Sequence, residues 1–266
     1  MPQRVRAVLV AGLAFAVLAL LVQAALWTET GQRIDQHAME AVYARQAVRD
    51  TLLSLLGRVS IGLIGLITVV CVITALLRQH YAFAIGAMVV IAGSNLTTQV
   101  LKHQVLTRDD FGFGVYPSLP SGHTTVVASA AAALLLVVPA FWRATIACLG
   151  TFATAITGMS TIVPGWHRPA DVIAACLVCL VWSASVSVVL GGYRTRSVGA
   201  TWSAFAGAVI AVVGIVLVGV RPRGGWAGVL DATLVLGAVG AAAAACLALV
   251  VLVCPSENRS RTAAQP

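Results

Sequence analysis

Charge is scarce in this chain. Only 10% of its 266 residues are Asp, Glu, Lys or Arg, against roughly 25% in a soluble domain, which excludes an ordinary water-soluble fold. The balance is +8, yet no basic stripe and no RNA-binding signature accompanies it, so nucleic acid is not an expected partner and anionic lipid is the simpler one. A disulfide framework is also missing. All six cysteines (Cys71, Cys148, Cys176, Cys179, Cys246, Cys254) fall within or at the ends of apolar runs. Cys176-x-x-Cys179 has no third or fourth ligand nearby and reads as two small residues packing on a helix face rather than a zinc or redox pair. No convincing small-x-small cleavage site follows the first apolar run, which is too long for a signal peptide and is expected to stay as a span.

What fills the chain instead is apolar sequence: 59% hydrophobic residues and a mean hydropathy of +0.95. A span needs about 20 mostly apolar residues. Eight stretches qualify: Val5 to Trp27, Leu52 to Leu77, Ala82 to Val100, His123 to Phe141, Ala144 to Val163, Asp171 to Leu190, Trp202 to Val220 and Gly228 to Val253. The expected fold is therefore an all-α polytopic transmembrane bundle. Eight spans put both termini on one side, and a modest excess of Arg in the segments sharing that side makes it the cytoplasmic one. The polar stretch from Thr28 to Asp50, with Ile34, Ala38, Val42 and Ala47 near helical spacing, admits an interfacial amphipathic helix or a solvated connector. Arg58 lies inside an apolar run with no assignable partner.

Chemistry concentrates in two short segments, Pro120-Ser121-Gly122-His123 and Gly165-Trp166-His167-Arg168-Pro169-Ala170-Asp171. Each places a histidine at the mouth of a span, a costly position unless the residue has a partner or a task. An even number of crossings separates them, so both lie on one face, expected to be extracytoplasmic. Pro169 suits the first position of a helix, which puts Asp171 in the first turn. Helix N-termini offer unpaired N–H groups and the positive end of the macrodipole, a ready cradle for an anion. Ser121 suits a cap and Gly122 a close backbone approach. Lys102 and Arg108, just upstream, add positive charge. His167 and Asp171, four apart, are placed for a carboxylate to fix the imidazole tautomer and free the other nitrogen for attack, with His123 as general acid. Taken singly, each of these residues reads as an interfacial anchor or a cap; their joint occurrence on one face is what points to phosphoryl transfer.

These residues resemble the type 2 phosphatidic acid phosphatase family, whose fold is shared with vanadium-dependent haloperoxidases. That family's signature runs Lys-x6-Arg-Pro, Pro-Ser-Gly-His and Ser-Arg-x5-His-x3-Asp. The second part is matched in full at Pro120–His123, the third by Ser160, His167 and Asp171, and the first approximately by Lys102 and Arg108. The resemblance covers roughly Ala82 to Leu190. It implies a phosphohistidine at His167, orientation by Asp171, leaving-group protonation by His123, and a phosphate held by Lys102, Arg108, Ser121 and Gly122, with no metal and no other cofactor. Two departures stand out. Five residues rather than six separate Lys102 from Arg108, and Asp109 replaces the proline. Thr161 occupies the position of the third motif's arginine, and Arg168 is the candidate to replace its charge.

The sequence is thus expected to encode a six-span phosphatase core over residues 1–195, two further spans over 196–254 and a disordered polar tail over 255–266. The expected activity is hydrolysis of a lipid phosphate or diphosphate, phosphatidic-acid-like or isoprenoid, in the plasma membrane. A phosphotransferase using the same intermediate and a non-catalytic lipid-binding protein remain as alternatives. Nothing in the sequence supports a particular oligomeric state.

Overall fold

The computed structural model describes residues 2–58, 61–114, 119–191 and 198–255. In chain order its helices are α1 (Gln3–Trp27), α2 (Glu29–Glu40), α3 (Gln46–Arg58), α4 (Ile61–Leu77), α5 (Tyr81–Val100), α6 (Gly122–Val137), α7 (Arg143–Ile162), α8 (Pro169–Leu190), α9 (Val198–Val218) and α10 (Val229–Val253). A π-helical turn, Leu101–Val105, extends α5. Two strands of two residues each, β1 (Val42–Tyr43) and β2 (Arg221–Pro222), pair antiparallel.

Among the described residues, six stretches are long and apolar enough to cross a membrane: Gln3–Trp27, Tyr81–Val105, Ala140–Ile162, Pro169–Leu190, Gly199–Val218 and Gly225–Val253. Shorter apolar helices among the described residues are Gly65–Leu77 within α4 and Gly122–Val137, which is α6. At 1.5 Å per residue, α6 covers about 24 Å of a hydrocarbon layer about 30 Å thick. The span expected over Leu52–Leu77 falls on α3 and α4, between which residues 59–60 lie outside the described residues. Its first part belongs to α3, which begins in the polar stretch at Gln46 and packs on α7; its second is α4, which packs on α5 and α6. The side chain of Arg58 and the tail beyond Pro255 lie outside the described residues.

Helix α8 is the axle of the bundle, packing on α1, α5, α6 and α10. Within its apolar window 61% of residues are buried, against 22% in α1 and 28% in α9, so the latter two present most of their surface outward. Close helix approach depends on small residues. A Cβ on Gly93 of α5 would fall 2.6 Å from the Trp182 ring of α8, and one on Gly158 of α7 would fall 2.5 Å from Val172. Cys176 and Cys179 are free, buried thiols on α8; the Cys179 thiol faces the Thr125 carbonyl of α6 and the Cys246 thiol faces the carbonyl of Cys176. Successive crossings alternate in direction. The Gln3 amide donates to the Val253 carbonyl at 2.6 Å, which puts the start of α1 and the end of α10 together at one end of the bundle. The ends of α1, α5 and α7 and the starts of α6 and α8 meet at the other.

The Thr28–Asp50 stretch is not one helix. α2 stops at Glu40, Val42 enters β1, and Ala47 belongs to α3. Nor does α2 face inward as its apolar residues suggest: Ile34 is 64% exposed, while Gln32 and Asp35 are buried. β2 clasps β1 through Val42↔Pro222 and Tyr43↔Arg221, which ties the α9–α10 connection to the α2–α3 connection.

Candidate active site

The two histidine-bearing segments lie side by side because their helices start together. Ser121 is the N-cap of α6, its hydroxyl accepting the Thr124 N–H at 3.5 Å and the Thr124 hydroxyl at 3.1 Å. Its own N–H donates to the Asp171 carbonyl at 2.9 Å, a backbone bond that joins the mouth of α6 to the first turn of α8. Gly122 is the first residue of α6, and a Cβ there would come no nearer than 3.9 Å to the Gln99 amide. Space above that backbone is open to an incoming group. His123 follows, half-buried, with the Trp166 ring centroid 6.2 Å from its own.

The α8 mouth is more enclosed. Pro169 takes the first helical position, as its fixed φ and missing N–H favour. Asp171, buried, accepts the Arg168 N–H at 2.9 Å, and the same Oδ2 lies 3.0 Å from Nδ1 of His167. The Thr161 carbonyl receives the N–H groups of both Trp166 and His167 at 3.1 Å, fixing the approach to the helix. A buried imidazole gripped through Nδ1 and through its own backbone leaves Nε2 as its reactive edge. The Thr161 hydroxyl turns back to the Gly158 carbonyl at 2.7 Å, so the side chain standing in for the third motif's arginine offers nothing to a phosphate.

The cationic side is built from the end of α5 and the loop beyond it. Lys102 sits in the π turn, half-buried, with no ion pair among the described residues. Arg108 is buried. Its Nε donates to the Gly114 carbonyl at 2.9 Å, its Nη1 to the Ala25 carbonyl at 3.2 Å, and its Nη2 is enclosed with no hydrogen-bond partner among the described residues. Burial and the neighbouring Arg168 guanidinium pull Arg108 below the ordinary arginine range, while Asp35 and Asp171 oppose them. Arg168 donates from Nε to Gln36 at 3.1 Å and from Nη2 to the Phe113 carbonyl at 2.7 Å. All eight residues singled out in the sequence therefore gather at one end of the bundle. His123 stands within electrostatic reach of both His167 and Lys102.

Residues 83–196 match the model of the PAP2 superfamily. The PAP2 resemblance holds. A crystal structure of a transmembrane PAP2-type phosphatidylglycerolphosphate phosphatase from Bacillus subtilis has the same fold, with a TM-score of 0.53 at 19% identity over 66% of this chain and 93% of that one. No curated protein matches the sequence. The PAP2 match begins within α5 and ends before α9, so α1 to α4, α9 and α10 lie outside it.

One acidic residue at this end carries no motif and escapes a reading by motif. Asp35, from α2, places Oδ1 2.9 Å from the Ala170 N–H in the first turn of α8. Its only sequence signal is a charge within an otherwise amphipathic pattern.

Proposed function

We propose that the protein is a membrane lipid phosphatase acting through a phosphohistidine at His167, without a metal. The observation that carries this reading is the buried His167–Asp171 pair, 3.0 Å apart at the start of α8 and bonded through the backbone to the cap of α6. Nε2 of His167 attacks phosphorus as the bond to the lipid oxygen breaks, and His123 gives that oxygen its proton. Water then attacks the phosphohistidine, returns a proton to His123, and releases phosphate with His167 restored. Lys102 and Arg108, the Ser121 hydroxyl and the free backbone of Gly122 hold the phosphate oxygens. Arg168 supplies the charge that Thr161 lacks. Because the site lies at the end of a bundle of apolar helices, its substrate class is a lipid phosphate or diphosphate presented at headgroup depth. We place the site on the extracytoplasmic face of the plasma membrane, with both termini cytoplasmic.

The test is phosphate release from a panel of phosphatidic acid, phosphatidylglycerophosphate and isoprenoid diphosphates, with wild type and His167→Ala compared in parallel. Wild type should release phosphate with EDTA present and lose activity to vanadate, and His167→Ala should be inactive while folded. Loss of wild-type activity on chelation sinks the metal-free mechanism. Transfer of labelled phosphate to an acceptor other than water would make the enzyme a phosphotransferase.

A further inference from the structure

Helix α2 lies outside the PAP2 match yet is bonded to three parts of the site. Gln32, Asp35 and Gln36 share one helical face by their spacing. The Gln32 amide donates to the Leu26 carbonyl at 2.7 Å and to the Asp109 carbonyl at 2.8 Å, beside Arg108. Asp35 accepts the Ala170 N–H in the first turn of α8, and Gln36 accepts from Arg168. This face is buried while Ile34 points out, the reverse of what solvation of a simple connector would give. Three enclosed atoms there, Oε1 of Gln32, Oδ2 of Asp35 and Nη2 of Arg108, lack hydrogen-bond partners among the described residues. A half-satisfied carboxyl beside a half-satisfied guanidinium calls for an explanation.

We propose that Asp35 is a positioning residue of the phosphoryl-transfer site, holding the first turn of α8 and setting the net charge that Arg108 and Arg168 present to a phosphate. This rests on the phosphatase reading of the site. The charged groups bearing on Asp35 are Asp171 and Arg168 at the α8 mouth and Arg108 in the loop. Burial, then the Asp171 carboxylate, push the Asp35 carboxyl up from 3.8 to about 7, against the pull of the Ala170 N–H and the two arginines. Below that pH Asp35 is neutral and the two guanidinium charges are unopposed by it. Above it, Asp35 becomes an anion beside Asp171 and weakens the attraction for phosphate.

The experiment compares full-length wild type with Asp35→Asn, which keeps the acceptor for Ala170 but cannot ionise. Calorimetric titration with inorganic phosphate at pH 6 should give equal affinities. At pH 8.5 wild type should bind roughly threefold to tenfold more weakly than Asp35→Asn, the effect of one nearby charge in partly hydrated surroundings. The smaller neutral acceptor in Asp35→Ser repeats the comparison should the first variant not fold. A ratio of affinities unchanged between the two pH values overturns the proposal. Failure of the phosphatase reading looks different: wild type then releases no phosphate from any lipid, whatever the ratio does.

Discussion

The two sides of the candidate site differ in how completely they are bonded. On the α8 side, His167 is tied at both ring and backbone, and Asp171 takes two donors on one oxygen. On the cationic side and among the described residues, Lys102 has no ion pair, and Arg108 uses two of its nitrogens and leaves the third enclosed without a partner. The difference teaches which part is finished before substrate arrives. A nucleophile must be aimed in advance, because orientation is most of what a carboxylate contributes to an imidazole. A phosphate clamp need not be closed, because the anion itself supplies the missing acceptors.

Breaking the finished side should cost most. Asp171→Asn removes the acceptor that fixes Nδ1 and should lower kcat by roughly 10²- to 10⁴-fold with KM little changed, as steady-state phosphate release will show. On the unfinished side, Arg108→Ala should act through KM as well as kcat. It also leaves the Gly114 and Ala25 carbonyls without their donors, about 1–3 kcal/mol of stability in a denaturation midpoint. A fall in kcat alone would mean that Arg108 engages the phosphate only in the transition state. Arg168→Ala should raise KM less, since Arg168 is only half-buried and water screens its charge more than that of the buried Arg108; an unchanged KM would rule out Arg168 as the replacement for the arginine absent at Thr161. Smallest is Ser121→Ala, expected to destabilise by about 1 kcal/mol as a lost cap, with a modest loss of phosphate affinity.

Much of this was legible in the sequence. Pro169 marked the start of α8, Ser121 the cap of α6, and the spacing of His167 and Asp171 their contact, because capping and helical periodicity are local rules. Which neighbours α3 and α4 pack against was not legible, since hydropathy measures composition and not contacts. Asp35 was missed for a related reason. Amphipathic reading assumes that polar residues face water, and α2 turns its polar face inward because the α8 N-terminus and Arg168 solvate it in place of water. The role of the Arg221-Pro222-Arg223 loop was equally hidden, as its pairing with Val42–Tyr43 bridges residues far apart in the chain.

The backbone bond from Ser121 to Asp171 has a mechanical consequence. It latches the strut that carries the proposed acid to the strut that carries the proposed nucleophile, so the two cannot drift apart during turnover without breaking a buried amide link. Any hinge that admits a bulky headgroup must therefore lie elsewhere on the rim, and substrate preference can change there by swapping rim residues while the reacting geometry stays fixed.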